Sequence, residues 1–599
     1  MNITNMTIAG LLQQYRNRDF TPSDLIEFLL VKAEELTEYH SWIHLMSREE
    51  IQPYLDALES KSADELPLYG IPFAIKDNID LQGIETTAAC EPFSYVPEES
   101  SFVVQLLIDA GAIPLGKTNL DQFATGLVGT RSPYGATKNA FNPEYISGGS
   151  SSGSAVVVAQ GLVSFSLGTD TAGSGRVPAA FNNIIGMKPT RGLLSNHGVV
   201  PACKTLDCVA LFATSTQDIV TLLETTGKHD SQDPYSRIQP SVNKSSLSSL
   251  QSFSFAVPKP EQLEFFGNDH YQTIFDQTVL ELDKIGGRKI EIDFSAFLDA
   301  AKLLYEGPWV TERYLACESL LKKQPEAMLD VTRKIIAPGK DNLATDAFLA
   351  QYKLHAYKQV TDALLRECDF MLTPTTGTIY TIDEVNLDPI KLNSNLGYYT
   401  NYMNLLDYAS IAIPAGFTND GLPFGVTLVS TAFSDEKLVN YASLIQQSLK
   451  LPLGATNKEL PEMIPEQRTS EHNMKIVVCG AHMSGLPLNS QLTDRQAVMV
   501  KQCKSSPHYK LFALPGGPPE RPGMIRVDEG GAAIDVEVWE MPEEHFGSFL
   551  AGIPHPLGLG KVELDDDSWE TGFICESYIQ AEAMDISQFG GWRRYVTRK

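Results

Sequence analysis

The hydrophobic pattern changes period several times along this chain. Apolar positions recur at helical spacing through residues 7–38, interrupted at Thr21-Pro22-Ser23, so two amphipathic helices are predicted there, with Thr21 or Ser23 as the cap of the second. Residues 70–80 then read as a buried strand. SFVVQLLIDAG (101–111) reads as a helix ending at Gly111, followed by the short strand AIPLG. The small apolar run 155–163 suits a helix packed closely on a sheet. FMLTPTT (370–376) and ASIAIPAG (409–416) read as buried strands, flanked by helical patterns at 345–367 and 436–449. Helices alternating with apolar strands imply an α/β layered architecture.

Near residue 455 the pattern is lost. LPLGATNKELPEMIPEQRTSEHN is polar, proline-punctuated and without period, which is linker chemistry. KIVVCG (475–480) then opens a new apolar strand, and the remainder is strand-rich and glycine-punctuated, as in AAIDVEVWEM, GLGKVEL and GFICES. The expected organisation is a first domain over 1–455, a linker over 456–473 and a strand-rich α+β domain over 474–599. A chain of 599 residues exceeds one ordinary core in any case.

Composition narrows the function classes. With 47 Lys+Arg against 74 Asp+Glu the net charge is −27, and no basic cluster of useful size precedes the last few residues, so nucleic acid is not an expected partner. The eight cysteines form no C-x-x-C pair, and neither a disulfide scaffold nor a metal site is read from them. The first residues lack a basic region followed by an apolar one, and the longest apolar run is too short to cross a bilayer. A cytoplasmic protein with no membrane partner is expected.

GAIPLGKT (111–118) satisfies the phosphate-loop pattern G-x-x-x-x-G-K-[ST], but a true phosphate loop follows a strand and opens a helix. Here a helix precedes Gly111 and the loop itself reads as strand, so the match is accidental and no nucleotide cofactor is expected. The informative stretch runs from Gly148 to Thr190. GGSSSGS feeds the apolar run, and GTDTAGSGR follows it, with Ser150 and Ser174 24 residues apart. Successive backbone amides of Thr171, Ala172, Gly173 and Ser174 could form an oxyanion hole, where one lost donor costs about 3 kcal/mol. Asp170 and Arg176 flank that loop and are expected to brace it. Far upstream, Lys76 interrupts the apolar segment GIPFAIKDNI. A lysine at a strand end can snorkel to solvent, but one held in apolar surroundings can serve as a base for a loop serine. The pattern points to acyl transfer.

GGSSSGSA, GTDTAGSGR, GMKPTRG and GIPFAIKDN, together with GKTNLDQFATG and IPAGFTNDGLPFGVTLVS, resemble the amidase signature family over about residues 7–450. The resemblance implies a layered α/β/α domain with a mixed central sheet and a Ser–cis-Ser–Lys triad: Ser174 the nucleophile, Ser150 the bridging serine after a cis peptide, Lys76 the base. Ser151 and Ser152 are alternatives to Ser150, which the count from Ser174 favours. No histidine, cofactor or metal is implied.

FATGLVGTRSPYG (123–135) and LLYEGPWVTERYLA (303–316) resemble the allophanate hydrolases within that family. There the equivalents of Tyr305 and Arg313 recognise a small carboxylated urea, and Gly126 lies where backbone could touch it. Tyr305 and Arg313 would share one face if their segment is helical throughout; an ordinary amphipathic surface helix is the alternative. VVCGAHMSGLPLNSQL and FGGWRRY (589–595) resemble the C-terminal domain of those enzymes and, more distantly, γ-glutamyl cyclotransferase-like folds. No equivalent of the cyclotransferase glutamate is found after VEVWEM. His482 is the candidate for processing the first domain's product, against a loop-anchoring role. The resemblance implies hydrolysis of allophanate to ammonia and carbon dioxide within urea or cyanurate degradation, a homodimer, and a functional link to a urea carboxylase. The alternatives are an amidase for another small carboxylated amide and an ammonia-delivering amidotransferase subunit.

Overall fold

In the computed structural model, residues 3–240, 252–461, 473–495 and 497–598 are described. The chain divides into two compact units at Glu462/Met463, and most of the expected linker, 462–472, lies outside the described residues. Residues just before it still belong to the first unit: Leu453 bridges to Lys458, and Ala455 N–H donates to Ala159 O.

The first unit is built on eleven strands: β1 Trp42–Leu45, β2 Pro72–Lys76, β3 Ile113–Thr118, β4 Phe165–Asp170, β5 Ile185–Lys188, β6 Cys208–Ala213, β7 Phe253–Pro258, β8 Gly287–Ile292, β9 Phe370–Pro374, β10 Tyr408–Phe417 and β11 Pro423–Thr431. They form one mixed sheet in the order β1-β3-β2-β4-β6-β5-β10-β11-β9-β7-β8. Side chains alternate across a strand, so successive residues report on opposite faces. Phe255, Phe370, Leu372 and Leu428 join the main apolar core, while their neighbours Ala256, Met371 and Val429 join a second one with Phe297, Tyr402 and Tyr408. Two cores on one sheet require cover on both sides, which is the three-layer arrangement.

The predicted helices form where their caps allow. Thr7 caps Ile8–Asn17, and Thr21, not Ser23, caps Pro22–Glu35 in a reciprocal box with Asp24. Ser101 caps Phe102–Asp109, and Gly111 turns the chain at a φ of +97° into β3. GAIPLGKT therefore ends in strand, with Lys117 buried and ion-paired to Asp77 at 3.0 Å. Helix Ser152–Ala159 is buried on every side against β2, β3, β4 and β6, so packing rather than amphipathicity holds it.

The parallel set β3, β2 and β4 positions the chemistry. Phe73, Ala74 and Ile75 pair with Phe165, Ser166 and Leu167, and Lys76 pairs with Thr118. The carboxyl ends of all three strands thus open on one edge, the place where open α/β sheets bind ligands.

The second unit has a five-stranded sheet, ordered β13-β16-β12-β18-β17, from β12 Asn473–Val478, β13 Val498–Lys504, β16 Asp535–Pro542, β17 Leu557–Glu563 and β18 Trp569–Cys575. A smaller sheet holds β14 Tyr509–Ala513 between β15 Pro522–Arg526 and β19 Met584–Asp585. Ile476, Val478, Trp539, Phe549, Phe573 and Trp592 contribute to its separate core. No helix among the described residues is long and apolar enough to cross a membrane.

Candidate active site

Lys76 is the last residue of β2 and does not snorkel: it is fully buried. Its Nζ lies 2.8 Å from Ser150 Oγ and 2.7 Å from Thr169 Oγ1, the latter on adjacent β4. Burial pulls the amine down to about 7, against the opposing pull of Asp121, Asp207 and Asp170 and with help from Arg313. About half of such an amine is neutral near pH 7, as a base requires.

Ser150 follows the cis Gly149–Ser150 peptide, as the family pattern implied. Its carbonyl accepts the Asp121 N–H at 3.1 Å. The Asp121 carboxylate in turn accepts the amides of Val128, Gly129 and Arg131, tying the segment after β3 to the serine loop. Ser151 Oγ donates to Thr169 O at 3.1 Å and Ser152 Oγ to Asn119 O at 3.2 Å. These two hydroxyls brace backbone, and of the three serines Ser150 alone reaches Lys76.

Ser174 lies in the loop between β4 and helix Val177–Phe181, where it is buried and its hydroxyl has no hydrogen-bond partner among the described residues. Asp170 and Arg176 brace this loop through a paired contact, 2.9 Å at both Nε and Nη2, with both side chains fully buried. Burial opposes the Asp170 charge, but Arg176 overrides it and holds the carboxyl below the usual range. The Gly173 amide departs from the expected oxyanion set. It is taken by Asp170 Oδ1 at 3.0 Å, so it does not face a reacting carbonyl. The carboxylate needs donors, and the turn aims this one back at it. The amides of Thr171, Ala172 and Ser174 have no partner among the described residues. Gly173 is required here for its φ of +134°, and a Cβ would also sit 2.5 Å from Thr400 Oγ1.

Tyr305 and Arg313 do not share a helix. Helix Ser295–Glu306 stops at Gly307-Pro308, and Trp309–Lys323 starts afresh, because Pro308 has no N–H to continue the ladder. The fold nevertheless brings them together, with the guanidinium 5.5 Å from the Tyr305 ring centroid. Arg313 is buried; its Nη1 donates to Thr125 Oγ1 at 2.9 Å and to Ala124 O at 3.3 Å, and its Nε has no partner. A second buried arginine escaped the sequence reading. Arg131 donates to Thr125 O at 2.8 Å and to Pro389 O at 2.5 Å, and its Cδ lies against Gly126. Neither arginine has a carboxylate partner among the described residues. Two buried guanidinium groups whose direct contacts are all neutral oxygens make this cluster suited to an anionic ligand. Gly126 sits beside that cluster, with no contact that assigns it a role.

In the second unit His482 stacks on Phe573 at 5.0 Å and shares a 3.0 Å hydrogen bond with Gln491. Burial lowers its pKa. Glu537, inside VEVWEM, was also overlooked. It is buried and accepts from Ser484 N at 2.7 Å, Arg593 Nη2 at 2.8 Å and Trp539 Nε1 at 3.1 Å. The glycine loop and the closing FGGWRRY meet on this carboxylate.

A mixed α/β sheet whose strand ends gather a buried lysine, two serine loops and free backbone amides is the framework of a serine-type amidohydrolase. The chain belongs to the amidase family, whose profile matches residues 24–439, and residues 474–597 match the allophanate hydrolase C-terminal domain. Urea amidolyase of Saccharomyces cerevisiae is 44% identical over 589 residues, 95% of this chain but only 32% of that protein, so the chain spans about a third of the length of this relative. Urea amidolyase of Lachancea kluyveri is 42% identical over 590 residues, again 95% of this chain and 32% of that protein. The structure of Kluyveromyces lactis allophanate hydrolase superposes with a TM-score of 0.83 at 40% identity, covering 99% of both chains.

Proposed function

We propose that this chain hydrolyses the terminal amide of allophanate. Ser174 Oγ attacks the amide carbonyl while its proton passes through Ser150 to neutral Lys76. The tetrahedral oxyanion is held by the amides of the 171–174 loop other than Gly173. The proton returns to the leaving nitrogen, ammonia departs, and water attacks the acyl-enzyme by the same relay. Arg313, oriented by Thr125 and Tyr305, pairs with the substrate carboxylate. The product is a carboxylated carbamate that decays to carbon dioxide and a second ammonia. His482 in the C-terminal domain is the candidate for assisting that step.

The observation that carries this reading is the buried Lys76–Ser150 contact, on whose lysine the buried Arg313 charge acts. The urea amidolyase likeness supports a link with a urea carboxylase, in urea rather than cyanurate breakdown. A cytoplasmic homodimer is the family expectation. The test is ammonia release from allophanate, malonamate and an uncharged amide. Allophanate should be turned over fastest, Ser174→Ala should abolish release, and Arg313→Lys should cost about 100-fold on allophanate and far less on the uncharged amide. Retained activity in Ser174→Ala, or equal losses in Arg313→Lys, rejects the respective assignment. Turnover only with a glutamine donor would favour the amidotransferase reading.

A further inference from the structure

One buried carboxylate beside the site has no part in the relay. Asp207 ends the loop before β6, and β6 runs antiparallel to β4 with Cys208 opposite Asp170. This register sets Asp207 beside the first residue of the serine loop. Its Oδ1 accepts the Thr171 hydroxyl at 2.5 Å, and both oxygens are held by the amides of Ala202 and Cys203 at 2.8–3.1 Å. The same loop grips the helix that carries Arg313. Thr205 N and Oγ1 donate to the Glu312 carboxylate at 2.8 and 2.5 Å, and Cys203 Sγ reaches Trp309 O at 3.5 Å.

We propose that Asp207 is a positioning residue, which fixes Thr171, and through it the oxyanion amides, in register with the helix that holds the substrate carboxylate. Thr171 carries one of the three amides left for the oxyanion and has no other side-chain anchor among the described residues. Without Asp207 the loop can rotate that amide away, and a misplacement of about 1 Å at a reacting centre costs about 100-fold. Asp207 also contributes charge. The groups facing Lys76 are Asp121, Asp170, Asp207 and Arg313, and the three carboxylates hold the amine up against its burial.

This inference rests on Ser174 being the nucleophile, so the full-length chain is assayed as wild type, Ser174→Ala, Asp207→Asn, Thr171→Val, Thr171→Ser and the Asp207→Asn/Thr171→Val double variant, on allophanate and on an uncharged amide. Asp207→Asn and Thr171→Val should each lower kcat about 10- to 100-fold on both substrates, with KM changed less than about threefold. The double variant should be no worse than the poorer single one, and Thr171→Ser should recover most of the loss. Removing the Asp207 charge should move the acid limb of kcat/KM to lower pH. Thr171→Ser, which keeps the hydroxyl that holds the Asp207 carboxyl down against its burial, should leave the limb in place. Near-wild-type kcat in Thr171→Val overturns the proposal even if Asp207→Asn fails to fold. So do additive losses, or a limb that stays put in Asp207→Asn. An active Ser174→Ala would instead sink the underlying reading.

Discussion

Two buried acid–base clusters in this molecule are built on opposite rules. In the second unit Glu537 is surrounded by donors, with Arg593, Trp539 and the Ser484 amide all directed at it. At the carboxyl edge of β2–β4, Lys76 has hydroxyls but no carboxylate in contact, and Arg313 and Arg131 have only neutral oxygens. The first arrangement satisfies a charge and so holds a fold together. The second leaves charge without a direct ionic partner, which the proposed substrate binding and proton relay require. Asp170–Arg176 brings the first rule into the first unit, as a closed pair that stiffens the loop carrying Ser174.

Substitution separates the open cluster from the closed ones. Lys76→Met should reduce ammonia release by about 10⁴-fold with no fall in melting temperature, since no closed pair is lost; a destabilised but active variant would make Lys76 architectural. Asp170→Asn leaves Arg176 buried without its partner and should cost about 3–5 kcal/mol in denaturant unfolding. Glu537→Gln should destabilise the second unit by about 1–3 kcal/mol, read as an earlier unfolding transition, while ammonia release persists. The smallest effect concerns pH. Lys76 must be neutral, so kcat/KM should fall about tenfold per pH unit below about 7 and level off above it. Because the unfolded lysine keeps its proton up to about 10.4, the unfolded state binds more protons between those values, and this group's contribution to stability rises with pH there. A profile without an acid limb near 7 would remove Lys76 as the base.

Much of the centre was legible because its parts sit in short glycine-rich segments whose spacing carries the information. Ser150, Ser174 and Lys76 belong to such segments, and Lys76 announced itself as a charge inside an apolar strand. Asp121 and Thr169 lay inside quoted motifs, yet no local feature distinguished them from their neighbours. Arg131 and Asp207 were invisible for another reason: their partners Pro389 and Thr171 are brought to them by the tertiary fold, not by proximity along the chain. The shared-helix picture for Tyr305 and Arg313 failed at Gly307-Pro308, where a proline broke the helix and tertiary packing restored the contact.

By itself the sequence determined the period of each element, the loss of pattern that separates two domains, and the residue types able to perform acyl transfer. Those follow from local propensity and side-chain chemistry, which act over a few residues. The tertiary structure decided which amides of the 171–174 loop stay unpartnered among the described residues, which arginines have no carboxylate in contact and which aspartate holds the Thr171 hydroxyl. Those depend on burial and on strand register, and neither exists until distant segments share one sheet.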